Sequence, residues 1–169
     1  MAKFNHLGEA QSIRGLAQYT EEVRDRFINL AISYNINIIT GSMPYVKEDG
    51  GLYNVGFLVR RDGTYEMYEK VHVTPDEIKS WGLSGGKMVQ TFDTDCAKIG
   101  ILICYDVEFP ELSRIMADQG MQILFVPFLT DTQNGYSRVR VCAQARAIEN
   151  ECFVAIAGSV GNLPRVHNM

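Results

Sequence analysis

Apolar residues at Val23, Phe27, Leu30, Ala31 and Tyr34 recur at spacings of three and four. That period predicts a helix over residues 20–34 with those side chains on its packed face, Thr20 as N-cap and Asn35 as its stop. Most other apolar runs are shorter and lack helical spacing: residues 36–40, 53–60, 64–71, 88–92, 98–103, 122–128 and 152–157 read as strands. Arg61-Asp62-Gly63 joins two of them as a hairpin turn. Residues 41–51, with Pro44 and a Gly-Gly pair, read as a loop, as do Leu83-Ser84-Gly85-Gly86. Residues 74–81 read as a short helical turn with Pro75 near its start. Two longer helices are predicted over residues 110–119, stopped by Gly120, and 136–150. In the latter, Val139, Cys142, Ala143, Ala145 and Ala147 favour close packing.

The predicted order is α-β-ββ-ββ-α-β-α-β. Alternation of strands and helices in the second half predicts an α/β fold, and the hairpins make its sheets mixed. Both ends break the pattern. The chain enters its first helix without a strand ahead of it, and the last strand is followed by only a short tail. Either the termini are short, or the chain is the middle of a longer fold, incomplete at both ends.

Composition narrows the function. A chain of 169 residues predicts a single domain. Its 46% hydrophobic and 21% charged residues are ordinary globular usage. A net charge of −4 and a pI near 5.4 argue against a non-specific nucleic-acid binder, which carries a basic field. The opening residues have no apolar signal region, and runs such as IGILIC are too short to span a bilayer. A cytoplasmic protein without membrane association is the expectation. Cys96, Cys104, Cys142 and Cys152 form no CxxC pair and no Cys/His zinc pattern, so no metal site and reduced thiols are expected.

Cys104 stands apart from the other three. A strand predicted over residues 98–103 delivers it to the carboxyl edge of the sheet, where ligands bind in α/β folds. A tight turn and a helix follow, and N–H groups in that turn, notably that of Tyr105, could stabilise a thiolate or an oxyanion. Against this stands the common role of cysteine as a buried core residue. Cys142 and Cys152 read as packing residues.

A cysteine nucleophile needs a proton acceptor. His72 follows a strand and reads as a solvated or supporting residue; His6 and His167 lie near the termini and are poor candidates. Lys70 ends the second hairpin strand. On its own it reads as a solvated strand-end lysine, but beside a thiol it would stabilise a thiolate and an oxyanion. Glu77 reads as a first-turn carboxylate favoured by the helix dipole, and Glu111 has the same explanation. Glu108, four residues past the cysteine, lies in its turn. Glu149 ends a helix, where the dipole disfavours it, so an arginine partner such as Arg146 or Arg114 is expected.

Together these segments resemble the nitrilase superfamily of carbon–nitrogen hydrolases. Ile103-Cys104-Tyr105-Asp106, with Phe109-Pro110-Glu111 and Arg114, resembles its nucleophile motif. Tyr68-Glu69-Lys70-Val71-His72 resembles its lysine motif, and Ala145-Arg146-Ala147-Ile148-Glu149-Asn150 its arginine helix. Tyr53-Asn54, ahead of a strand closing on Asp62-Gly63, also fits. The motifs occur in the family's order over about residues 36–162.

The resemblance implies an α-β-β-α sandwich, commonly paired into dimers. It implies a Cys–Glu–Lys mechanism on a small-molecule amide or nitrile substrate, with no cofactor and no metal. In it Cys104 attacks the amide or nitrile carbon, and Lys70 and the Tyr105 N–H hold the developing negative charge. Glu77 matches the second family glutamate, which positions the lysine and substrate. Glu108 and Phe128 are the residues expected to face the substrate.

One part of the pattern is missing. The family's general base is a glutamate in a Pro-Glu motif ahead of the first long helix. Residues 1–20 contain no Pro-Glu, and Glu9 sits in an unrelated context, Leu7-Gly8-Glu9-Ala10. The expectation is therefore a central portion of such a domain, impaired in activity by the absent base. The rivals are a non-catalytic, partner-binding remnant and a thiol redox role for Cys104.

Overall fold

A computed structural model of the chain describes residues 4, 7–163 and 166–168, with side chains through residue 161. His6 lies outside the described residues, and so does the side chain of His167. The described chain divides into two compact units, residues 1–88 and 89–169.

The first unit opens with α1 (Glu9–Leu16), a helix the sequence pattern does not predict, and α2 (Thr20–Tyr34). The period of three and four places α2 correctly, and Asn35 closes it at φ 52. Thr20 is not its cap. The hydroxyl is buried and donates to the Pro44 carbonyl at 2.6 Å, tying α2 to the sheet. Ala31 is fully buried, with Phe27 and Ile28 packed around the same cluster, whereas Leu30 and Tyr34 are exposed, so the packed stripe is narrower than predicted.

The strands are β1 (Ile38–Ile39), β2 (Met43–Val46), β3 (Leu52–Val59), β4 (Tyr65–Glu69) and β5 (Leu83–Ser84). β3 is central. β1 and β2 pair antiparallel along one of its edges, and β4 (antiparallel) and β5 (parallel) along the other. Two predicted loops thus contain strands: β2 lies within residues 41–51, and β5 takes Leu83 and Ser84. Neither has a run long enough to declare itself; the neighbouring β3 supplies their hydrogen bonds. Val55, Phe57 and Val59 pack under α2, while Leu52 packs with Ile13 and Leu83. With both faces covered, β3 reads as a continuous apolar run rather than an alternation. Its hairpin to β4 turns at Gly63, whose φ of 89 is open to glycine at little cost.

The second unit has a four-stranded sheet in the order β6 (Thr91–Asp93), β7 (Lys98–Ile101), β8 (Ile123–Phe128), β9 (Phe153–Gly158). β6 is antiparallel to β7; β7, β8 and β9 run parallel. The parallel pairs are the predicted alternation of strand and helix: α3 (Pro110–Asp118) links β7 to β8, and α4 (Gln133–Glu149) links β8 to β9. Val139 and Ala143 of α4 are buried as predicted. A final hairpin, β10 (Gly161–Leu163) with β11 (Val166–Asn168), follows β9. Leu124 shares a sheet face with Gly100, against which Met116 packs, while Ile99 and Ile101 are buried on the other face; Val107 and Leu112, from the segment after β7, are buried too.

Candidate active site

In the first unit, Lys70 follows directly on β4. Its backbone is fixed on both sides: its N–H donates to the Asn54 carbonyl at 2.9 Å, and its carbonyl accepts from Gly86 N–H at 2.8 Å. The upstream anchor is Tyr68. A side chain at Gly56 would collide with the Tyr68 ring and the Gly41 carbonyl, so glycine there lets the ring lie flat across β3. The Tyr68 hydroxyl donates to the Gly41 carbonyl at 2.6 Å, and burial holds its phenol well above the usual tyrosine range.

Lys70 is 3% exposed. Its Nζ donates to both carboxylate oxygens of Glu77, at 2.7 and 2.6 Å. Glu77 in turn belongs to a local capping box, Thr74-Pro75-Asp76-Glu77. The Thr74 N–H donates to Glu77 Oε2 at 2.8 Å, and the Glu77 N–H donates to Thr74 Oγ1 at 3.2 Å. The first-turn reading of Glu77 and the lysine-positioning reading therefore hold together: the box aims the carboxylate that grips Lys70. The turn it starts, Glu77–Trp81, is also tied to α1, where Glu9 Oε1 accepts from the Trp81 indole N–H at 2.6 Å. Glu9 is thus occupied at the chain's start. His72 is half-buried two residues past Lys70.

In the second unit, Cys104 sits just beyond the carboxyl end of β7, as the sequence predicts. It has φ 50, in the left-handed region. A non-glycine residue there costs on the order of 1–2 kcal/mol, so the surrounding structure must impose it. It opens a short 3-10 helix, Cys104–Glu108. The thiol points to the end of the adjacent parallel strand, with Sγ 3.6 Å from the Leu129 carbonyl.

Two side chains brace this turn. Asp106, fully buried, accepts from the Ile103 N–H at 3.2 Å through Oδ2. Arg146 of α4, 6% exposed, donates from Nε to the Val107 carbonyl at 3.0 Å and from Nη2 to the Glu108 carbonyl at 3.5 Å. Its Nη1 meets Glu149 Oε2 at 2.5 Å. The arginine partner expected for Glu149 is therefore Arg146, while Arg114 Nη2 donates to the Glu149 carbonyl at 2.8 Å instead.

Glu108 lies on the same turn, with Oε1 3.4 Å from Arg138 Nε of α4. Phe128, expected to face substrate, is buried, its ring 6.2 Å from that of Tyr136 and against Gly158. Its neighbour Leu129 supplies the group that touches the thiol. Cys142 and Cys152 are half-buried, and burial pushes both thiols up, in keeping with packing roles. Among the described residues no disulfide forms, no group of three or more His, Cys, Asp or Glu is placed to hold a metal ion, and no helix is long and apolar enough to cross a membrane.

The lysine and glutamate motifs thus converge within the first unit, and the cysteine and arginine motifs within the second. Sequence reasoning missed the bracing roles of Asp106 and Arg146 and the Leu129 contact. The arginine helix was visible as a motif, but nothing in the spacing told which carbonyls Arg146 would reach.

An α/β chain with a buried lysine–carboxylate pair and a cysteine on a strained strand-end turn has the parts of an acyl-transfer enzyme. The comparisons with known proteins name the class: the carbon-nitrogen hydrolase family model matches residues 3–168, and the chain belongs to that family. It is 53% identical over 158 residues to "Probable hydrolase YhcX" of Bacillus subtilis, covering 94% of this chain and 31% of that protein. It is 34% identical over 144 residues to a "Deaminated glutathione amidase" of Synechocystis, covering 78% of this chain and 53% of that one. Among solved structures it superposes on Saccharomyces cerevisiae Nit3, a member of branch 10 of the nitrilase superfamily. That match has a TM-score of 0.79 and 29% identity, covering 87% of this chain and 54% of Nit3. The fold is that of the nitrilase superfamily. The chain spans about a third to a half of the length of these relatives.

Proposed function

We propose that this chain carries the cysteine and lysine portion of an amidase site acting on a linear carboxamide or nitrile. In this reading the Cys104 sulfur attacks the amide carbon, and negative charge develops on the carbonyl oxygen. Lys70 and the Tyr105 N–H stabilise that charge. The carbon–nitrogen bond then breaks, nitrogen leaves as ammonia or an amine after taking a proton, and a thioester remains on Cys104. Water cleaves the thioester to the carboxylic acid and restores the thiol. Glu77 orients Lys70, and Glu108 and Phe128 border the acyl group.

The observation that carries the proposal is the imposed left-handed backbone at Cys104, braced on both sides at a strand's carboxyl end. A core thiol needs no such device. The amidase named among the relatives supports an amide substrate. Pairing into dimers and a cytoplasmic setting are part of the same proposal, carried by the family resemblance.

Proton transfer is the weak step. The glutamate ahead of α2, Glu9, is held by Trp81 Nε1 and stands outside a Pro-Glu context. Loss of a general base costs about 10²–10⁴-fold in rate. Turnover by the chain is therefore expected to be slow, and the acyl adduct is the better readout. The test is intact mass of the folded chain after incubation with small linear amides and nitriles. The proposal predicts a mass gain equal to the acyl group less the displaced thiol hydrogen (for a nitrile, the whole nitrile as a thioimidate until water releases ammonia and leaves the thioester), absent from Cys104→Ala. No adduct on a folded sample, or one that persists in Cys104→Ala, refutes it.

A further inference from the structure

Cys104 occupies a backbone conformation that its own side chain cannot stabilise. The cysteine side chain offers no local hydrogen bond of the kind that eases asparagine or aspartate into the left-handed region. Whatever holds φ at 50 must therefore come from elsewhere. On the amino side, Asp106 reaches back to the Ile103 N–H. On the carboxyl side, the last carbonyls of the Cys104–Glu108 turn point at one side chain, Arg146, whose guanidinium spans the Val107 and Glu108 oxygens.

Arg146 is well suited to this. It projects from the last turn of α4, a helix of 17 residues. Its planar fork holds several acceptors in fixed relative positions, which a lysine's single ammonium does not. The remaining Nη1 is taken by Glu149, one turn on, and the Asn150 amide donates to the Arg146 carbonyl at 2.9 Å, closing the end of the helix around it. The positive charge also lies at the carbonyl end of the short turn, the favourable end for a cation.

We propose that Arg146, oriented by Glu149, is a positioning residue for Cys104: by gripping the Val107 and Glu108 carbonyls it fixes the left-handed backbone that presents the thiol. The inference rests on the reading of Cys104 as a nucleophile. It assigns Arg146 no contact with substrate. Its action is transmitted through the five-residue turn.

The test is the alkylation rate of each cysteine by iodoacetamide across pH, read by peptide mass spectrometry on the full chain. Wild type is compared with Arg146→Lys, which keeps the charge and loses the fork, and with Glu149→Gln, which leaves the fork but weakens its orientation. Cys96, exposed and with its thiol 3.5 Å from Asp95 Oδ1, is the reference for a solvent-facing thiol outside the turn. Cys142, half-buried on α4 itself, reports any loosening of that helix.

The nucleophile reading predicts that wild-type Cys104 reacts faster than Cys96; equal rates in wild type count against that reading, whatever the variants do. The positioning role predicts that Cys104 slows in Arg146→Lys by about 10²-fold, the usual result of small misplacement of a reacting group, with a smaller fall in Glu149→Gln. Cys96 keeps its wild-type rate in both variants, and Cys142 keeps its own in Arg146→Lys, which preserves the charges around it. A Cys104 rate unchanged in Arg146→Lys overturns the proposal. So does a joint rise at Cys104 and Cys142, which would make Arg146 a general support of α4.

Discussion

Lys70 and Cys104 both stand just past the end of a strand, yet they are held by opposite means. Lys70 is fixed by charge: a buried ammonium gripped by both oxygens of Glu77, itself aimed by a capping box seven residues or fewer away. Cys104 is fixed by backbone: an unfavourable φ imposed by side chains, one of which arrives from a helix 42 positions later in the chain. The first arrangement is local, an ion pair within one short segment; the second is long-range, a grip on backbone groups that includes a side chain from α4. A charge can be presented by a partner of opposite sign.

The largest expected effect separates the two directly. Lys70→Met leaves the Glu77 carboxylate, 12% exposed, without its partner, and should destabilise the first unit by about 3–5 kcal/mol. Lys70→Met combined with Glu77→Gln should recover most of that loss, because glutamine still accepts the Thr74 N–H. Urea denaturation of both variants reads the difference. If the double variant is as unstable as the single one, the pair is not held by charge.

Next comes Tyr68, which anchors β4 ahead of the lysine. Tyr68→Phe removes the bond to the Gly41 carbonyl and should cost about 1–2 kcal/mol. Burial raises the folded phenol above the ordinary value of 10, so this contribution is complete below pH 10 and declines as pH rises toward the higher folded value. The variant's stability should therefore fall less than wild type's between about pH 10 and 12. Parallel alkaline limbs would contradict this account of Tyr68.

A smaller effect is expected from Thr74→Ala, about 1 kcal/mol for half of the capping box. The smallest is expected from Arg138→Gln. Its ion pair with Glu108 is largely solvent-exposed on the arginine side and should contribute roughly 0.5 kcal/mol or less in thermal denaturation. A loss of several kcal/mol there would mean that this pair is not the weak, solvent-screened contact its exposure implies.

This contrast explains what could be read from the chain alone. The Lys70–Glu77 arrangement is written in one short segment, Thr74-Pro75-Asp76-Glu77 following Lys70, and the parallel strands of the second unit are written in their alternation with helices. The α2 period and the Asp62-Gly63 hairpin were equally plain. β2 and β5 were not, because each is short and exists through hydrogen bonds to β3 rather than through its own composition. Thr20 misled for a related reason: its hydroxyl fits an N-cap by residue type, but the carbonyl of Pro44, 24 positions away, takes it. Cys104 was located by its strand and turn, while its left-handed backbone and the Arg146 grip depend on how α4 docks. The packing of Phe128 against Tyr136 and Gly158 likewise comes from contacts that no local pattern records.

The central claim is that Cys104 forms a thioester whose formation is assisted by Lys70 as an oxyanion-stabilising cation and not merely as half of a structural pair. Single-turnover thioester formation with a linear amide, mapped to the Cys104 peptide, tests it most directly when wild type is set against the Lys70→Met/Glu77→Gln chain that keeps its stability. The account predicts acylation confined to Cys104 and a fall of about 10²–10³-fold in the double variant, the usual loss for one charge-stabilising donor. Equal rates in the two folded chains, or acylation at another cysteine, would contradict it.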